Sequence, residues 1–236
     1  MDQSTVQETF ENIGGRFITD ADKIAAGLKN IRALVFDWDG VFNAAFKGEG
    51  QPSTFNEADS MGTNMLRYGM HRAGAGAPIC AIISGENNQT ALKFAERESF
   101  NAVYLGIGDK RLAAKHLAEN HGLTLEQIAF VFDDVNDLGL AGLCGLRFMI
   151  HRNAGPLLHD FAVRNGLCDY ITGNGSQAYA VREICELNLG LLDEFDATIS
   201  SRINVDDEYR AYFTERQKAS PKFYKQAGDA IAARES

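Results

Sequence analysis

Ile31-Arg-Ala-Leu-Val-Phe-Asp-Trp-Asp-Gly-Val41 decides the fold. Ala33 to Phe36 is an unbroken apolar run, which fits a strand buried on both faces of a parallel sheet. The run stops abruptly at Asp37-Trp38-Asp39-Gly40. Open α/β sheets bind ligands at the carboxyl ends of their strands. Two carboxylates one residue apart at such an end, followed by a glycine that lets the backbone turn tightly, make a candidate reactive site. Taken alone, the tetrapeptide reads equally well as an Asp-Gly turn after a core strand.

Outward from this stretch, strand and helix patterns alternate. Residues 20–30 precede it as a short helix, with Ile24 and Leu28 on one face. Residues 41–56 are aromatic-rich and broken by Lys47-Gly-Glu-Gly-Gln-Pro-Ser53, which predicts two short strands in a β-hairpin flap over about 41–57. Its Phe42, Phe46 and Phe55 suit either the core or a partner subunit. Met61, Met65, Leu66 and Met70 keep helical spacing over 59–72 and read as core. A buried strand over 77–83 ends in Ser84-Gly85-Glu86-Asn87, and a helix follows over 89–99. A strand over 101–105 leads through Gly106-Ile-Gly-Asp-Lys110 into a helix ending at 121. That Gly-x-Gly lacks the third glycine of a dinucleotide fingerprint, and no phosphate-binding G-x-x-x-x-G-K-[ST] loop occurs. The strand over 127–132 ends in Asp133-Asp134-Val-Asn-Asp137. Beyond a short helix lie a strand over 146–150, a helix over 155–165, a short strand over 168–172 and a long helix over 176–195. This alternation predicts an α/β fold, a Rossmann-like doubly wound parallel sheet occupying 1–195. Residues 196–236 read as a helical extension packed on the same domain or a neighbour. Tyr209, Tyr212 and Phe213 share a helical face there, and after Pro221 a second, weaker helix is expected to run to Ser236.

The totals narrow the function. The chain has 236 residues, 45% of them hydrophobic, enough for one globular domain with a full core. A net charge of −9 argues against a nucleic-acid surface, which needs a basic stripe. Four scattered Cys with no C-x-x-C pair suit reduced thiols in a cytoplasm rather than a disulfide frame or zinc site. The five His show no metal-binding spacing. No apolar segment is long enough to cross a bilayer, and residues 1–20 show no signal-peptide core.

Four successive strand ends carry polar groups: Asp37 and Asp39, then Ser84, then Lys110, then Asp133, Asp134 and Asp137. Parallel strands bring these ends to one edge. Singly, Ser84 reads as a helix N-cap, Lys110 as a solvated charge, and Asp133 and Asp134 as caps of the next helix. Together they supply what phosphoryl transfer needs. A carboxylate can attack phosphorus, and a second can protonate the leaving oxygen and later deprotonate water. A hydroxyl and an ammonium can bind phosphate oxygens, and paired acids can hold Mg²⁺. Two like charges about 4 Å apart repel by about 4 kcal/mol at an effective dielectric near 20, so cations are required before a carboxylate can approach a phosphate dianion.

The four motifs resemble those of the haloacid dehalogenase superfamily of phosphatases: Asp37-Trp-Asp-Gly-Val, Ile-Ile-Ser84-Gly, Lys110, and Asp133-Asp134-x-x-Asp137. More finely, residues 30 to about 192 resemble the sugar-acid phosphatases that act on 3-deoxy-manno-octulosonate 8-phosphate, including Phe55-Asn56-x-x-Asp59-x-x-Gly62 and Ala180-Val-Arg-Glu-Ile184. The resemblance implies Asp37 as nucleophile and Asp39 as general acid/base. It places Mg²⁺ on the Asp37 carboxylate, the Asp39 carbonyl and Asp133, with Asp134 and Asp137 as supporting acids. Ser84 and Lys110 would bind the phosphoryl group, helped by backbone N–H groups around Gly40 and Gly85. It implies a small phosphorylated substrate, and a homotetramer in which each flap closes a neighbour's site. The spacing leaves no room for a separate cap domain. Several positions depart from the family pattern. Glu86 stands where an Arg is usual, the loop Gly173-Asn-Gly-Ser-Gln177 lacks an Arg, Phe132 replaces a Gly, and Trp38 is bulky. Two alternatives stand beside the phosphatase: a receiver domain accepting phosphate on Asp, disfavoured because its acidic pair would precede the acceptor strand, and a catalytically weak or inactive oligomerisation module.

Overall fold

Nine strands among the described residues form one sheet. They are β1 Arg16–Phe17, β2 Ala33–Phe36, β3 Ile79–Ile83, β4 Ala102–Leu105, β5 Ile128–Phe132, β6 Leu146–Met149, β7 Tyr170–Ile171, β8 Lys222–Ala227 and β9 Ala230–Ala233. The structure is a computed structural model and describes residues 2–48 and 53–234. In space the order is β1-β7-β6-β5-β2-β3-β4-β8-β9. Strands β2 to β7 run parallel, and β8 joins β4 in the same sense. Antiparallel β1 and β9 close the two edges.

The apolar run of β2 is central because both its faces are covered. Leu34 and Phe36 point into one core with Cys80 and Ile82. Ala33 and Val35 point into the other with Ala81, Ile83 and Phe130. Helices α1 Gln3–Asn12, α2 Ala21–Leu28, α3 Glu57–Met70 and α4 Gln89–Arg97 cover the first face, together with α8 Ala180–Leu191 and α10 Asp207–Arg216. Helices α5 Lys110–His121, α6 Leu138–Ala141 and α7 Pro156–Arg164 cover the second. This is the doubly wound architecture that the alternating pattern predicts.

The two further stretches on which the resemblance rests, around Asp59 and Arg182, meet each other. Tyr179, which precedes α8, has φ +65° and gives no side-chain cap. The Asp59 carboxylate caps that helix instead, accepting from Arg182 N–H at 2.8 Å. A Cβ at Gly62 would lie 3.0 Å from Arg182 Cδ and 3.1 Å from its Cα, so a glycine keeps α3 and α8 in close approach. One residue on, Glu183 accepts from Tyr170 Oη and from the N–H groups of Gly173 and Asn174.

Three expectations are corrected, and two elements are added. Residues 41–48 and 53–56 form no strands; Asp39 and Asn43 share one isolated bridge. The expected turn of that hairpin, at 49–52, lies outside the described residues. Phe42 and Phe55 explain the difference, because they pack on Trp38 and Phe94 and bind the segment to the core (centroids 4.8–6.4 Å). Only Phe46 of the three is exposed. The helix expected after Pro221 is instead the β8–β9 hairpin, so residues 196–236 are not wholly helical; α9 Phe195–Asn204 and α10 precede it. The helix expected over 176–195 stops at Leu191, and Asp193 then adopts φ +56°. Residues 3–17 carry α1 and β1, elements that no sequence pattern predicts. No helix of the described residues is long and apolar enough to cross a membrane, and all four cysteines are free and buried.

Candidate active site

Each parallel strand hands its first following residue to the same edge. Asp37 N–H donates to Val131 O at 2.9 Å, and Ser84 N–H donates to Tyr104 O at 2.9 Å, so both residues leave the ladder in register. Lys110 opens α5 and Asp133 follows β5. These ends surround a cavity of about 430 Å³ lined by Asp37, Asp39, Ser84, Gly85, Lys110, Asp133, Asp134 and Asp137.

The floor is acidic and nearly closed to solvent. Asp37, Asp133 and Asp137 are all buried and offer carboxylate oxygens within 4.8 Å of one another. Lys110 Nζ lies 2.6 Å from Asp37 Oδ1 and also pairs with Asp137. Burial opposes the Lys110 charge, but attraction to Asp37 and Asp137 outweighs it and raises the ammonium above its ordinary range. Burial pushes the Asp37 carboxyl up to about 6 against the pull of Lys110. Burial and the charge of Asp37 push Asp133 up to about 8.

Asp39 faces a different set of partners. Its carboxylate accepts from Lys47 Nζ at 2.5 Å, Ser53 Oγ at 2.8 Å and Asn88 Nδ2 at 2.8 Å. Partial burial raises its pKa, yet these three donors prevail and hold it below the ordinary value. Asn88 also donates to Ser84 Oγ at 3.0 Å. Asp134 caps the turn after β5, accepting from Val135 N–H, and Asp137 Oδ2 accepts from Asp134 N–H at 3.2 Å. Gly40 N–H donates to Asn43 O at 3.1 Å, so this glycine serves the site through its conformation. It has φ +88°, and a Cβ there would fall on the Asp133 carboxylate and the Arg152 guanidinium. Gly40→Ala is expected to cost about 2–4 kcal/mol, combining left-handed strain with displacement of buried Asp133. Urea melts of the two proteins measure this, and a loss below about 0.5 kcal/mol would refute it.

The structure brings all the expected residues to one edge and adds four. Lys47, Ser53 and Asn88 hold Asp39, and none of them carries a pattern in the sequence. Arg152, three residues past β6, pairs with Asp133 and, at 3.5 Å, with Asp134. Its signal was positional: it follows the end of another parallel strand. Two of the departures leave the cavity untouched. Trp38 is fully buried among Phe42, Phe55 and Phe94, and Phe132 is fully buried and stacked on Phe130. Glu86 does line the cavity.

The donor set fits a hard divalent cation. Asp133 Oδ1 is buried without a hydrogen-bond partner, and three carboxylates face two cationic side chains. A cation with oxygen ligands would satisfy both features.

No protein-family model matches the chain. It is 31% identical over 182 residues to 3-deoxy-D-manno-octulosonate 8-phosphate phosphatase KdsC of Escherichia coli K12, an alignment spanning 74% of this chain and 88% of that protein. Among solved structures it is similar to a probable YrbI family phosphatase from Pseudomonas syringae (TM-score 0.64, 29% identity, 77% of this chain and 97% of that one). It is also similar to 3-deoxy-D-manno-octulosonate 8-phosphate phosphatase from Moraxella catarrhalis, solved with a magnesium ion, a phosphate ion and KDO (TM-score 0.63, 26% identity, 76% and 98%). With four motif-bearing strand ends on one edge and a relative at this identity matched over most of its length, the chain belongs to the KdsC-type phosphatases of the HAD superfamily.

Proposed function

We propose that this chain hydrolyses the phosphomonoester of a small metabolite with the help of Mg²⁺, a sugar-acid phosphate such as 3-deoxy-D-manno-octulosonate 8-phosphate being the leading candidate. The observation that carries the reading is the buried Asp37, Asp133 and Asp137 set, tied to Lys110 at the floor of the cavity. Asp37, Asp133 and the Asp39 carbonyl would hold the ion, with Asp137 and Asp134 in support. Bound there, the ion would offset negative charge on the carboxylates and on the phosphoryl oxygens.

In the first step an Asp37 oxygen attacks phosphorus, and the bond from phosphorus to the leaving oxygen breaks. Asp39 gives that oxygen its proton. Lys110, Ser84 Oγ and the Gly85 N–H bind the phosphoryl oxygens. In the second step water attacks the aspartyl-phosphate, Asp39 takes the water's proton, and the link to Asp37 breaks. The three donors on Asp39 favour its ionised form, which suits this second step. Its acid role requires Lys47 to move off the carboxylate. Among substrates, Glu86 disfavours a second anionic group, while Arg152 brings a cation to the same mouth. A cytoplasmic homo-oligomer in which residues 41–57 also meet a neighbour belongs to the same reading; in the single chain Lys47 and Ser53 engage their own Asp39. Sedimentation equilibrium tests the assembly.

Phosphate release with Mg²⁺ across phosphorylated sugars, sugar acids and nucleotides tests the chemistry. Turnover of one sugar-acid phosphate far above the rest is the expected result. No metal-dependent release from any ester would sink the reading.

Metal binding also predicts a pH signature. The Asp37 carboxyl, near 6, and that of Asp133, near 8, both lie above their ordinary 3.8. The metal-free folded state therefore binds more protons than the unfolded chain across this range. Its stability from these groups is full below about pH 4 and falls as pH rises through 6 and then 8. Mg²⁺ takes the place of those protons. The gain in Tm on moving from EDTA to saturating Mg²⁺ is expected to be small at pH 5 and several degrees at pH 8. A gain that shrinks with rising pH would contradict it.

A further inference from the structure

The C-terminal hairpin is built against the two loops that carry Ser84 and Lys110. Strand β8 extends the sheet from β4 with Leu105 opposite Lys225, and Tyr224 stacks on Tyr104 (centroids 4.9 Å apart, planes at 19°). This register puts Gln226 at the carboxyl edge, beside the turn that leads into Lys110. Gln226 Oε1 accepts from Gly108 N–H at 2.8 Å and from Asp109 N–H at 3.3 Å. Its Nε2 donates to Gly228 O at 2.9 Å, which fixes the amide's orientation. On the return, Arg234 Nη1 donates to Asn87 Oδ1 at 3.0 Å, in the loop after Ser84. These two loops are already joined, Ile107 N–H donating to Ser84 O at 3.1 Å and Gly106 N–H to Glu86 O at 3.3 Å. Gly108 and Glu86 both line the cavity. The hairpin thus clamps the phosphate-facing loops from outside.

We propose that this hairpin is a working wall of the site, in which Gln226 is a positioning residue for the loop carrying Lys110 and Arg234 holds the neighbouring loop that carries Ser84. The proposal rests on the phosphatase reading above. Gln226 acts through the backbone: a single acceptor oxygen gathers two successive N–H groups and so sets where α5 begins. Lys110 is the first residue of that helix. Without the acceptor the turn can shift while β8 remains paired to β4. The loss then falls on phosphate affinity more than on stability.

The test uses the full chain with Mg²⁺, p-nitrophenyl phosphate as substrate and inorganic phosphate as competitive inhibitor. Gln226→Met keeps the packing and removes the acceptor. It is expected to raise KM and the phosphate inhibition constant about five- to tenfold, as loss of one such hydrogen bond allows, with kcat changed less than twofold and Tm nearly intact. Gln226→Glu keeps the acceptor oxygen but turns the other oxygen on the Gly228 carbonyl, and is expected to recover only part of the lost affinity. Arg234→Met touches only the surface tie, and should raise KM by about two- to threefold; it carries the test alone should the Gln226→Met protein fail to fold. Unchanged KM and inhibition constants in the variants, with the wild type active, would overturn the proposal and leave the phosphatase reading standing. A wild type that neither turns over nor binds phosphate would overturn both.

Discussion

Asp37→Asn is expected to lower turnover by at least about a thousandfold while the protein stays folded. The amide is close in shape to the carboxylate but cannot attack phosphorus, so no phosphoryl link to residue 37 can form. It also removes one of three carboxylates from the floor of the cavity. Folding should not suffer. Asp37 is 6% exposed and its carboxyl is pushed up to about 6, so at pH 8 the wild-type chain keeps a desolvated charge there. Lys110 retains Asp137 as a partner in the variant. The metal-free melting temperature is therefore expected to lie above that of the wild type at pH 8, with the gap narrowing as pH falls through 5 toward 4. Phosphate-release assays and paired melts check both halves. A variant with more than about 1% of wild-type turnover would remove Asp37 from the nucleophile's role.

Lys110→Met is expected to produce the largest loss of stability at the site. Lys110 is 6% exposed and bridges Asp37 and Asp137. Removing one partner of a buried ion cluster commonly costs about 3–5 kcal/mol, because the remaining charges are left desolvated. Here the carboxylates left behind can escape the cost by taking up protons. Their folded pKa values rise further above the unfolded ones, so the loss should be modest at pH 5 and full at pH 8. Mg²⁺ should restore part of it, since a cation among the same three carboxylates does some of what the ammonium did. Turnover is expected to fall at least about a hundredfold even at saturating Mg²⁺, because a donor to the phosphoryl oxygens is gone. Urea melts at the two pH values, with and without Mg²⁺, measure the stability terms. Equal losses at pH 5 and pH 8 would contradict the account.

The parts of the fold readable in the sequence were those with local, strong patterns. The apolar runs of β2, β3 and β5 and the strand-end residues Asp37, Ser84, Lys110 and Asp133 announce themselves, because buried parallel strands leave little choice of residue and their ends share an edge. What escaped lacked a local signal. Strand β1 has two residues, too few for a period. Strand β8 alternates weakly because it is half exposed, and its partner β4 lies more than a hundred residues earlier, 118 separating Gly108 from Gln226. Phe42 and Phe55 read as hairpin residues from their spacing, but their burial against Trp38 and Phe94 takes precedence over cross-strand pairing. Lys47 and Asn88 reach Asp39 only through tertiary proximity, which no spacing records.

The sheet order bears on how the chain acquires its shape as it is made. Strand β1 waits for β7, and β4 waits for β8, so both flanks of the sheet are completed by segments far away along the chain. The central strands can assemble once about residue 150 has emerged, but β4 then presents an open, unpaired backbone until residues 222–227 arrive. Such non-local pairing folds slowly, and an uncovered strand invites pairing with another chain in the meantime. Nascent chains arrested before residue 222 are therefore the form of this protein that would most need a chaperone, and the strand whose Gln226 holds the turn before Lys110 is also the one that ends this exposure.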